Sequence, residues 1–237
     1  MVFDVDDTLY LERDYVRSGF TAVAEVLARD HGIASFQEEA WAAFLRGERG
    51  DIFDTTLRAL TGEAPRSLVE LCVDVYRNHA PTIALLPDAS SFVAWCVTRF
   101  STGVVSDGPQ ASQRAKVVAL GLTSQIDRIV LTGEMGSGWA KPSSQSFRLL
   151  EQELGFHGEE CVYLADNPIK DFVGPLELGW RTVRVRRQNG LHENAMSDQD
   201  AAMVIDDLGN DSLASLENIF GQVPHFRPAG EGEGVAS

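Results

Sequence analysis

The sequence predicts an α/β protein, a Rossmann-like doubly wound parallel sheet with an all-helical domain inserted into it. Three observations support this prediction. A short apolar segment at the start of the chain ends in acidic residues, residues 15–86 show only helical periodicity, and short β-branched segments alternate with helical ones from residue 87 onward. Strands joined by helices form βαβ units, whose right-handed crossovers give one parallel sheet with helices on both faces.

The first ten residues, MVFDVDDTLY, combine a short strand with a cluster of carboxylates. If Val2 to Val5 form a strand, the side chains of Asp4 and Asp6 point to the same face, about 7 Å apart. Two carboxylates at that distance repel each other unless a cation lies between them or one holds a proton. This predicts a metal site or an acid/base pair, whereas a solvated turn after an edge strand is the alternative. These ten residues leave both open.

The inserted segment is predicted to contain four helices. Ser35 with Glu38, and Ser67 with Glu70, are capping-box patterns that predict the starts of the second and fourth helices. A third helix is predicted from Ile52 to about Leu60. The first helix carries an apolar stripe with spacings of four, three and four residues: Val16, Phe20, Val23 and Leu27.

The second half of the chain alternates between strands and helices. A helix is predicted from Asp88 to about Arg99, and another from Ser143 to Leu154, with a Gly-rich loop before Lys141. A last strand at Met203 to Ile205 is expected to be followed by a helix. The other predicted strands cover residues 101–106, 126–132, 161–165 and 181–185.

These elements give a domain prediction. We assign residues 1–14 and 87–222 to the α/β core and residues 15–86 to the helical insertion. Residues 223–237, rich in Pro, Gly and Glu, are expected to form a disordered tail.

Composition and charge exclude several functions. The chain has 20 basic and 35 acidic residues, a formal charge of -15, which argues against nucleic acid because such binding needs a basic face. No apolar run is long enough to span a bilayer, and the N-terminus does not have the pattern of a secretion signal. The three cysteines show no paired spacing, so we expect reduced thiols in a cytoplasmic protein. We expect the protein to be a monomer or a homodimer.

The polar residues at the strand ends have complementary chemistry. In an open parallel sheet, ligands bind at the carboxyl ends of the strands. Oxygen ligands without His or Cys favour Mg²⁺, and Ser106, Lys141 and the amides of Asp107 and Gly108 are suitable donors to a phosphate. A carboxylate can attack phosphorus when a metal and a lysine neutralise the repulsion between two anions. The residues expected at this edge are Asp4, Asp6, Asp7, Thr8, Ser106, Asp107, Lys141, Asp166, Asn167 and Asp171.

Each of these motifs has an ordinary structural interpretation when taken alone. Ser106 to Gly108 is a common turn, Lys141 with Pro142 commonly precedes a helix, and Asp166 to Pro168 resembles a helix N-cap. Independent turns are not expected to place complementary groups at the ends of successive strands. Their joint occurrence therefore favours a functional site.

The ordered motifs resemble those of the haloacid dehalogenase (HAD) superfamily. The first motif, Asp-x-Asp-x-Thr, is matched by Asp4, Asp6 and Thr8, and the second by Ser106 after an apolar strand. The third motif, a Lys followed by Pro, is matched by Lys141, and the fourth, an acidic pair, by Asp166 and Asp171. The motifs and their connecting elements cover nearly all of the chain to about residue 186, and the insertion resembles the helical C1-type cap of that family.

This resemblance implies roles for the individual residues. Asp4 would be the nucleophile that forms an aspartyl-phosphate, and Asp6 the general acid and base. Mg²⁺ would be held by Asp4, the backbone carbonyl of Asp6 and Asp166, with Asp171 in support. Ser106 and the catalytic Lys141 would hold the phosphoryl group. The other phosphate-binding residues would be Thr8, Asp107 and Gly108.

The predicted function is that of a Mg²⁺-dependent phosphatase acting on a small phosphomonoester. A phosphomutase uses the same groups and remains an alternative, as does a receiver-like signalling module that accepts phosphate without catalysing hydrolysis. Asp7 stands where many members of the family have Gly, and it is expected to add a charge near the metal. Because Asp4 lies so near Met1, we expect either a very short first strand or a start further upstream. We predict surface positions for three histidines that show no ligand spacing: His157, His192 and His225.

Overall fold

In the computed structural model, which describes residues 1–196 and 201–210 together with residues 212 and 216, six parallel strands form one sheet. The strands are β1 (Val2–Phe3), β2 (Gly103–Ser106), β3 (Arg128–Leu131), β4 (Val162–Ala165), β5 (Arg181–Val185) and β6 (Met203–Ile205). They lie in the order β3-β2-β1-β4-β5-β6. The chain leaves the central strand β1 toward one edge and returns to build the other. The carboxyl end of β1 therefore lies at the switch point where such sheets bind ligands.

Nine α-helices accompany the sheet within the described part of the chain. Four of them lie between β1 and β2: α1 (Glu12–His31), α2 (Phe36–Leu45), α3 (Ile52–Thr61) and α4 (Arg66–Asn78). The others alternate with the strands: α5 (Pro87–Val97), α6 (Gln110–Ala119), α7 (Thr132–Met135), α8 (Gln145–Leu154) and α9 (Val173–Glu177). No helix among the described residues has both the length and the apolar character needed to cross a membrane.

Helices α1 to α4 form a bundle around a core of their own. The predicted stripe on α1 is buried in it, together with Phe36, Phe44 and Leu57. Gly19 on α1 permits a close helix contact, since a Cβ atom there would lie 2.4 Å from the Tyr76 ring of α4. We call helices α1 to α4 the helical bundle. The sequence predicts that residues 15–86, which make up most of this bundle, form a separate domain.

The sheet is covered on both faces, as the predicted fold class requires. One hydrophobic cluster contains Phe3 and Leu164, and the cluster on the other face contains Val2 and Tyr163. Neighbouring residues of the same strand thus point to opposite faces. The three cysteines are buried and carry no disulfide, in agreement with the predicted reduced thiols.

The sequence predicted the helices of the bundle at the right places but was wrong about the side-chain contacts at two of their starts. Ser35 has φ 62° and makes no side-chain cap, and α4 begins at Arg66 after Pro65, so that Ser67 lies inside the helix. Both predicted capping boxes are therefore wrong. Glu70, expected to complete one of them, pairs with Arg66 instead at 2.7 Å.

Two further differences concern the loops around the carboxyl ends of the strands. The predicted Gly-rich loop before Lys141 begins with the short helix α7. The helix expected directly after Asp166 to Pro168 is reduced to α9, which begins only at Val173. The predicted helix after β6 lies mostly, and the predicted disordered tail entirely, outside the described residues.

Candidate active site

The carboxylates of Asp4, Asp166 and Asp171 meet at the carboxyl ends of β1 and β4. Asp4 follows β1 and Asp166 follows β4, and one carboxylate oxygen of each of the three residues lies within 4.8 Å of the others. All three side chains are buried. The Lys141 Nζ atom lies 2.7 Å from Asp4 Oδ1 and 2.8 Å from Asp171 Oδ1, and it donates a hydrogen bond to the Tyr163 hydroxyl at 3.0 Å.

This cluster has an excess of buried negative charge. Burial raises the pKa of Asp4 to about 7, despite the opposing charge of Lys141. Burial, together with the charges of Asp4 and Asp171, raises the pKa of Asp166 well above its usual range. Although burial lowers it, Asp171 and Asp4 hold the pKa of Lys141 well above its ordinary value. With all three carboxylates ionised, one lysine would leave a net charge of minus two, and the donors are all oxygens, so the residues fit a divalent cation such as Mg²⁺.

Asp6 lies beside this cluster and has different partners. Its carboxylate accepts hydrogen bonds from Lys116 Nζ at 2.7 Å, from Gln113 Nε2 at 3.2 Å and from the Tyr10 hydroxyl. Although burial raises it, the charge and hydrogen bond of Lys116 hold the pKa of Asp6 below its usual value. The side chains of Asp4 and Asp6 therefore have distinct electrostatic environments.

Ser106 is the last residue of β2, and Gly108, two residues later, lines the cavity described below. The buried Ser106 hydroxyl donates to Gln113 Oε1 at 2.7 Å. Gly108 has φ 136°, and a Cβ atom there would lie 2.7 Å from Gln113 Nε2, so only glycine allows this close approach. The second predicted motif thus leads into α6, which carries Gln113.

The Asp107 carboxylate connects several loops instead of facing a ligand. Its Oδ1 atom accepts from the Thr132 hydroxyl at 2.9 Å and from the Lys141 amide at 3.3 Å, and its Oδ2 atom lies 3.3 Å from Lys170 Nζ. Asp107 still borders the cavity described below. Its side chain fixes the position of Lys141, and its backbone amide remains the group suited to a phosphate.

The structure does not bring Thr8 to the cavity. Its side chain is fully buried, and its hydroxyl has no hydrogen-bond partner among the described residues. Its carbonyl oxygen accepts hydrogen bonds from Arg187 Nε at 3.0 Å and Nη2 at 2.9 Å. The predicted contact of Thr8 with phosphate therefore has no support in this geometry.

A cavity of about 350 Å³ lies over the carboxylates. Its floor includes Asp4 and Asp166, and its opposite wall comes from the helical bundle, with Glu12 on α1 and Tyr76 and Arg77 on α4. Burial raises the pKa of Glu12 to about 7, with Asp6 adding to the effect. The space suits a small molecule enclosed between the sheet edge and the bundle.

His192 also lines this cavity, so its predicted surface position is wrong. The Asn167 side-chain amide donates to His192 Nε2 at 3.0 Å. Arg184 Nη2 donates to the His192 carbonyl at 3.0 Å and to the Ala195 carbonyl at 2.9 Å, which fixes the loop after β5. Of the other two histidines, His157 is exposed as predicted, and His225 lies outside the described residues.

Asp7 has a structural role that the sequence did not reveal. It has φ 49°, and its carboxylate accepts from the Glu12 amide at 2.8 Å and from the Leu191 amide at 2.6 Å. Asp7 thus ties the start of α1 and the His192 loop to the end of β1.

The sequence also did not identify Lys116 as a residue near the site. The signal that could have indicated it is its spacing from Gln113, since side chains three residues apart lie on one helix face.

Comparison with known proteins is consistent with these positions. A family model described as haloacid dehalogenase-like hydrolase matches residues 1–174. The glyceraldehyde 3-phosphate phosphatase of Methanocaldococcus jannaschii is 26% identical over 222 residues, covering 88% of this chain and 92% of that protein. The phosphoserine phosphatase of Thermus thermophilus is 32% identical over 150 residues, covering 63% and 59% of the two chains. The putative HAD-hydrolase YfnB from Bacillus subtilis, solved with bound magnesium, superposes with a TM-score of 0.63 at 19% identity over 92% of this chain and 97% of that one.

Proposed function

Because the chain belongs to the haloacid dehalogenase-like hydrolase family, we propose that it is a Mg²⁺-dependent phosphatase that cleaves a small phosphomonoester through an aspartyl-phosphate on Asp4. Two of its curated relatives are named as phosphatases of small phosphorylated metabolites, which supports a substrate of that size. The receiver-like alternative loses its basis, because the matching family model describes hydrolases.

The observation that carries this proposal is the buried group of Asp4, Asp166, Asp171 and Lys141. Three carboxylates and one lysine have no evident value for folding, because burying excess charge is costly. The unfavourable free energy of burial is explained if these residues bind a cation and a phosphoryl group. When bound, Mg²⁺ would be held by Asp4, Asp166 and the Asp6 carbonyl, and it would reduce the repulsion between the Asp4 carboxylate and the phosphate.

Asp4 is suited to attack phosphorus. Its Oδ1 atom is paired with Lys141, and no described residue donates a hydrogen bond to its other carboxylate oxygen. That free oxygen would form the bond to phosphorus while the bond from phosphorus to the leaving oxygen breaks. Lys141, Ser106 and the amides of Asp107 and Gly108 would hold the phosphoryl oxygens.

Asp6 would move the protons. In the first step its carboxyl group gives a proton to the leaving oxygen, and in the second its carboxylate takes a proton from the water that attacks the aspartyl-phosphate. The products are an alcohol and inorganic phosphate, and both Asp4 and Asp6 return to their starting states. The partners of Asp6 favour its ionised form, which is the form needed in the second step.

The helical bundle would serve as a cap over the cavity. We propose that residues 15–86 form a domain distinct from the α/β core, with hinges on either side. Glu12, Tyr76 and Arg77 lie on the cavity wall opposite the nucleophile, where they would contact the leaving group. Such a cap excludes water during the first step and determines which leaving groups fit.

The test compares the wild type with Asp4→Asn on p-nitrophenyl phosphate, with Mg²⁺ and with EDTA. The wild type is expected to require Mg²⁺, and the variant to lose turnover by at least about 10³-fold, because the nucleophile is gone. Asp14→Asn is the matched control, because Asp14 is an exposed carboxylate of α1 that does not line the cavity. Full activity of Asp4→Asn would refute the nucleophile assignment.

A panel of sugar, nucleotide and hydroxy-acid phosphates would then identify the substrate class. Release of inorganic phosphate from a hexose phosphate supports a phosphatase. Formation of an isomeric hexose phosphate without phosphate release would instead support the phosphomutase alternative.

A further inference from the structure

Lys116 is a buried lysine close to the site for which the proposed reaction has no use. Its side chain is 4% exposed, and the Nζ atom lies 2.7 Å from Asp6 Oδ1. A buried lysine without partners is costly, and lysines in protein interiors are therefore almost always paired. Lys116 has a second partner, because its Nζ atom lies 4.3 Å from the centre of the Tyr15 ring. A cation over an aromatic ring is stabilised by the ring's electron density.

The two partners of Lys116 belong to different parts of the protein. Asp6 follows the central strand, whereas Tyr15 lies on α1 of the helical bundle. Lys116 itself lies on α6, between them. The ammonium group therefore connects the proposed proton carrier to the bundle through direct contacts.

A second connection runs along the same face of α6. The Ser112 hydroxyl donates to the Arg77 carbonyl at the end of α4 at 3.1 Å, so α6 is attached to the bundle at two points. The next residue, Gln113, accepts from the Ser106 hydroxyl and donates to Asp6 Oδ2. Ser112, Gln113 and Lys116 thus join the bundle to both the phosphoryl-binding serine and the proton carrier.

From this geometry we propose that Lys116 is a positioning residue, which orients the Asp6 carboxylate when the helical bundle lies against α6. The inference rests on the proposed function, since it assumes that Asp6 serves the leaving oxygen. Lys116 and Tyr10 occupy Oδ1, whereas Oδ2 has one described donor, Gln113. The Oδ2 atom is therefore the one that can face the leaving oxygen. If the bundle moves away, Lys116 loses the Tyr15 ring, and the ammonium group that holds Asp6 Oδ1 is less firmly placed.

The experiment compares p-nitrophenyl phosphate with phenyl phosphate, both in the presence of Mg²⁺. The two substrates have similar size, but phenoxide is the more basic leaving group and needs the proton from Asp6 more. Both substrates give the same aspartyl-phosphate, so the first step is measured by kcat/KM. Lys116→Met is expected to lower kcat/KM for phenyl phosphate at least about tenfold more than for p-nitrophenyl phosphate, since general acid catalysis contributes on the order of 10² to 10⁴. KM for p-nitrophenyl phosphate is expected to change by no more than about threefold.

A control variant distinguishes positioning from a general loss of cavity charge. Lys170→Met removes another lysine that lines the cavity but contacts Asp107 instead of Asp6. It is expected to change KM for both substrates alike and to leave the ratio of their kcat/KM values as in the wild type. An equal fall in kcat/KM for both substrates with Lys116→Met, or no fall, would overturn the proposal.

A second pair of variants tests the link to the bundle and does not depend on the folding of Lys116→Met. Tyr15→Leu removes the aromatic ring, whereas Tyr15→Phe keeps it. We expect Tyr15→Leu to shift the ratio of the two kcat/KM values in the direction of Lys116→Met, and Tyr15→Phe to leave it unchanged. Identical ratios for the two Tyr15 variants would overturn the coupling. Wild-type protein that hydrolyses neither substrate would overturn the proposed function itself, whereas an active wild type with unaltered ratios in the variants would overturn only the role of Lys116.

Discussion

Replacing Asp4 by Asn is expected to change the pH dependence of stability as well as to abolish turnover. Asn has nearly the same shape as Asp but cannot ionise. In the metal-free protein, burial raises the pKa of Asp4 to about 7, whereas an aspartate in the unfolded chain titrates near about 4. The folded wild type therefore holds a proton on Asp4 over a pH range in which the unfolded chain does not.

The sign and size of the effect follow from this difference. Because the folded state binds the additional proton, the contribution of Asp4 to stability is fully present below about pH 4 and is lost as the pH rises to about 7. A shift of about three units corresponds to at most about 4 kcal/mol, at about 1.4 kcal/mol per unit. Asp4→Asn does not undergo this loss. Its stability relative to the wild type should therefore rise by a few kcal/mol between pH 5 and pH 8.

The measurement is urea unfolding of both proteins at several pH values, in EDTA and in Mg²⁺. In EDTA the difference in the free energy of unfolding should increase with pH in favour of Asp4→Asn. In Mg²⁺ the order should reverse at neutral pH, because the cation binds the ionised carboxylate of the wild type and stabilises the folded state. A difference that stays constant with pH in EDTA would refute the view that Asp4 is destabilised by its buried surroundings.

Three further substitutions test other parts of the site. Asp7→Gly relieves a positive φ, which stabilises the fold by about 1 kcal/mol, but it leaves two amides without acceptors at a cost of about 1 to 3 kcal/mol each. Urea unfolding should therefore show a net loss of about 2 kcal/mol. A gain would contradict the structural role of the carboxylate. Asp107→Asn keeps an acceptor but frees Lys170, so inorganic phosphate should inhibit at lower concentration, whereas weaker inhibition would argue against the site's charge arrangement. Gly133→Ala would place a Cβ atom 2.3 Å from the Gly108 carbonyl oxygen, so we expect a loss of about 1 to 3 kcal/mol and a lower kcat/KM, and a wild-type kcat/KM would show that the loop tolerates the shift.

The sheet and the central carboxylates could be predicted because each depends on local sequence. A β-branched segment that follows a helix gives a parallel strand, and the residue after it must lie at the carboxyl edge. Asp4, Asp166, Asp171 and Lys141 were expected at that edge, and the structure brings them together. Here the order of the elements was sufficient, because a parallel sheet has only one edge at which all its strands end.

The partners of these residues could not be predicted in the same way. Lys116 contacts Asp6 across 110 residues, and Leu191 contacts Asp7 across 184. A lysine on an apolar helix face is usually assigned to solvent, and only the packing of α6 against the bundle places this one in the interior. The capping pattern at Ser35 failed because the residue has a left-handed backbone, whereas an N-cap residue that uses its side chain usually has an extended one.

The shortness of β1 raises the question of how Asp4, the proposed nucleophile, is held in place so close to Met1. The strand has only two residues, but it lies in the middle of the sheet and is bonded on both sides. The Asp4 amide donates to the Leu164 carbonyl at 2.8 Å, and the Gly103 amide donates to the Met1 carbonyl at 2.8 Å. Two neighbouring strands thus supply the rigidity that an edge strand would need length to achieve. This support is needed, because burial of the carboxylates at the end of β1 disfavours their ionised forms and opposes folding.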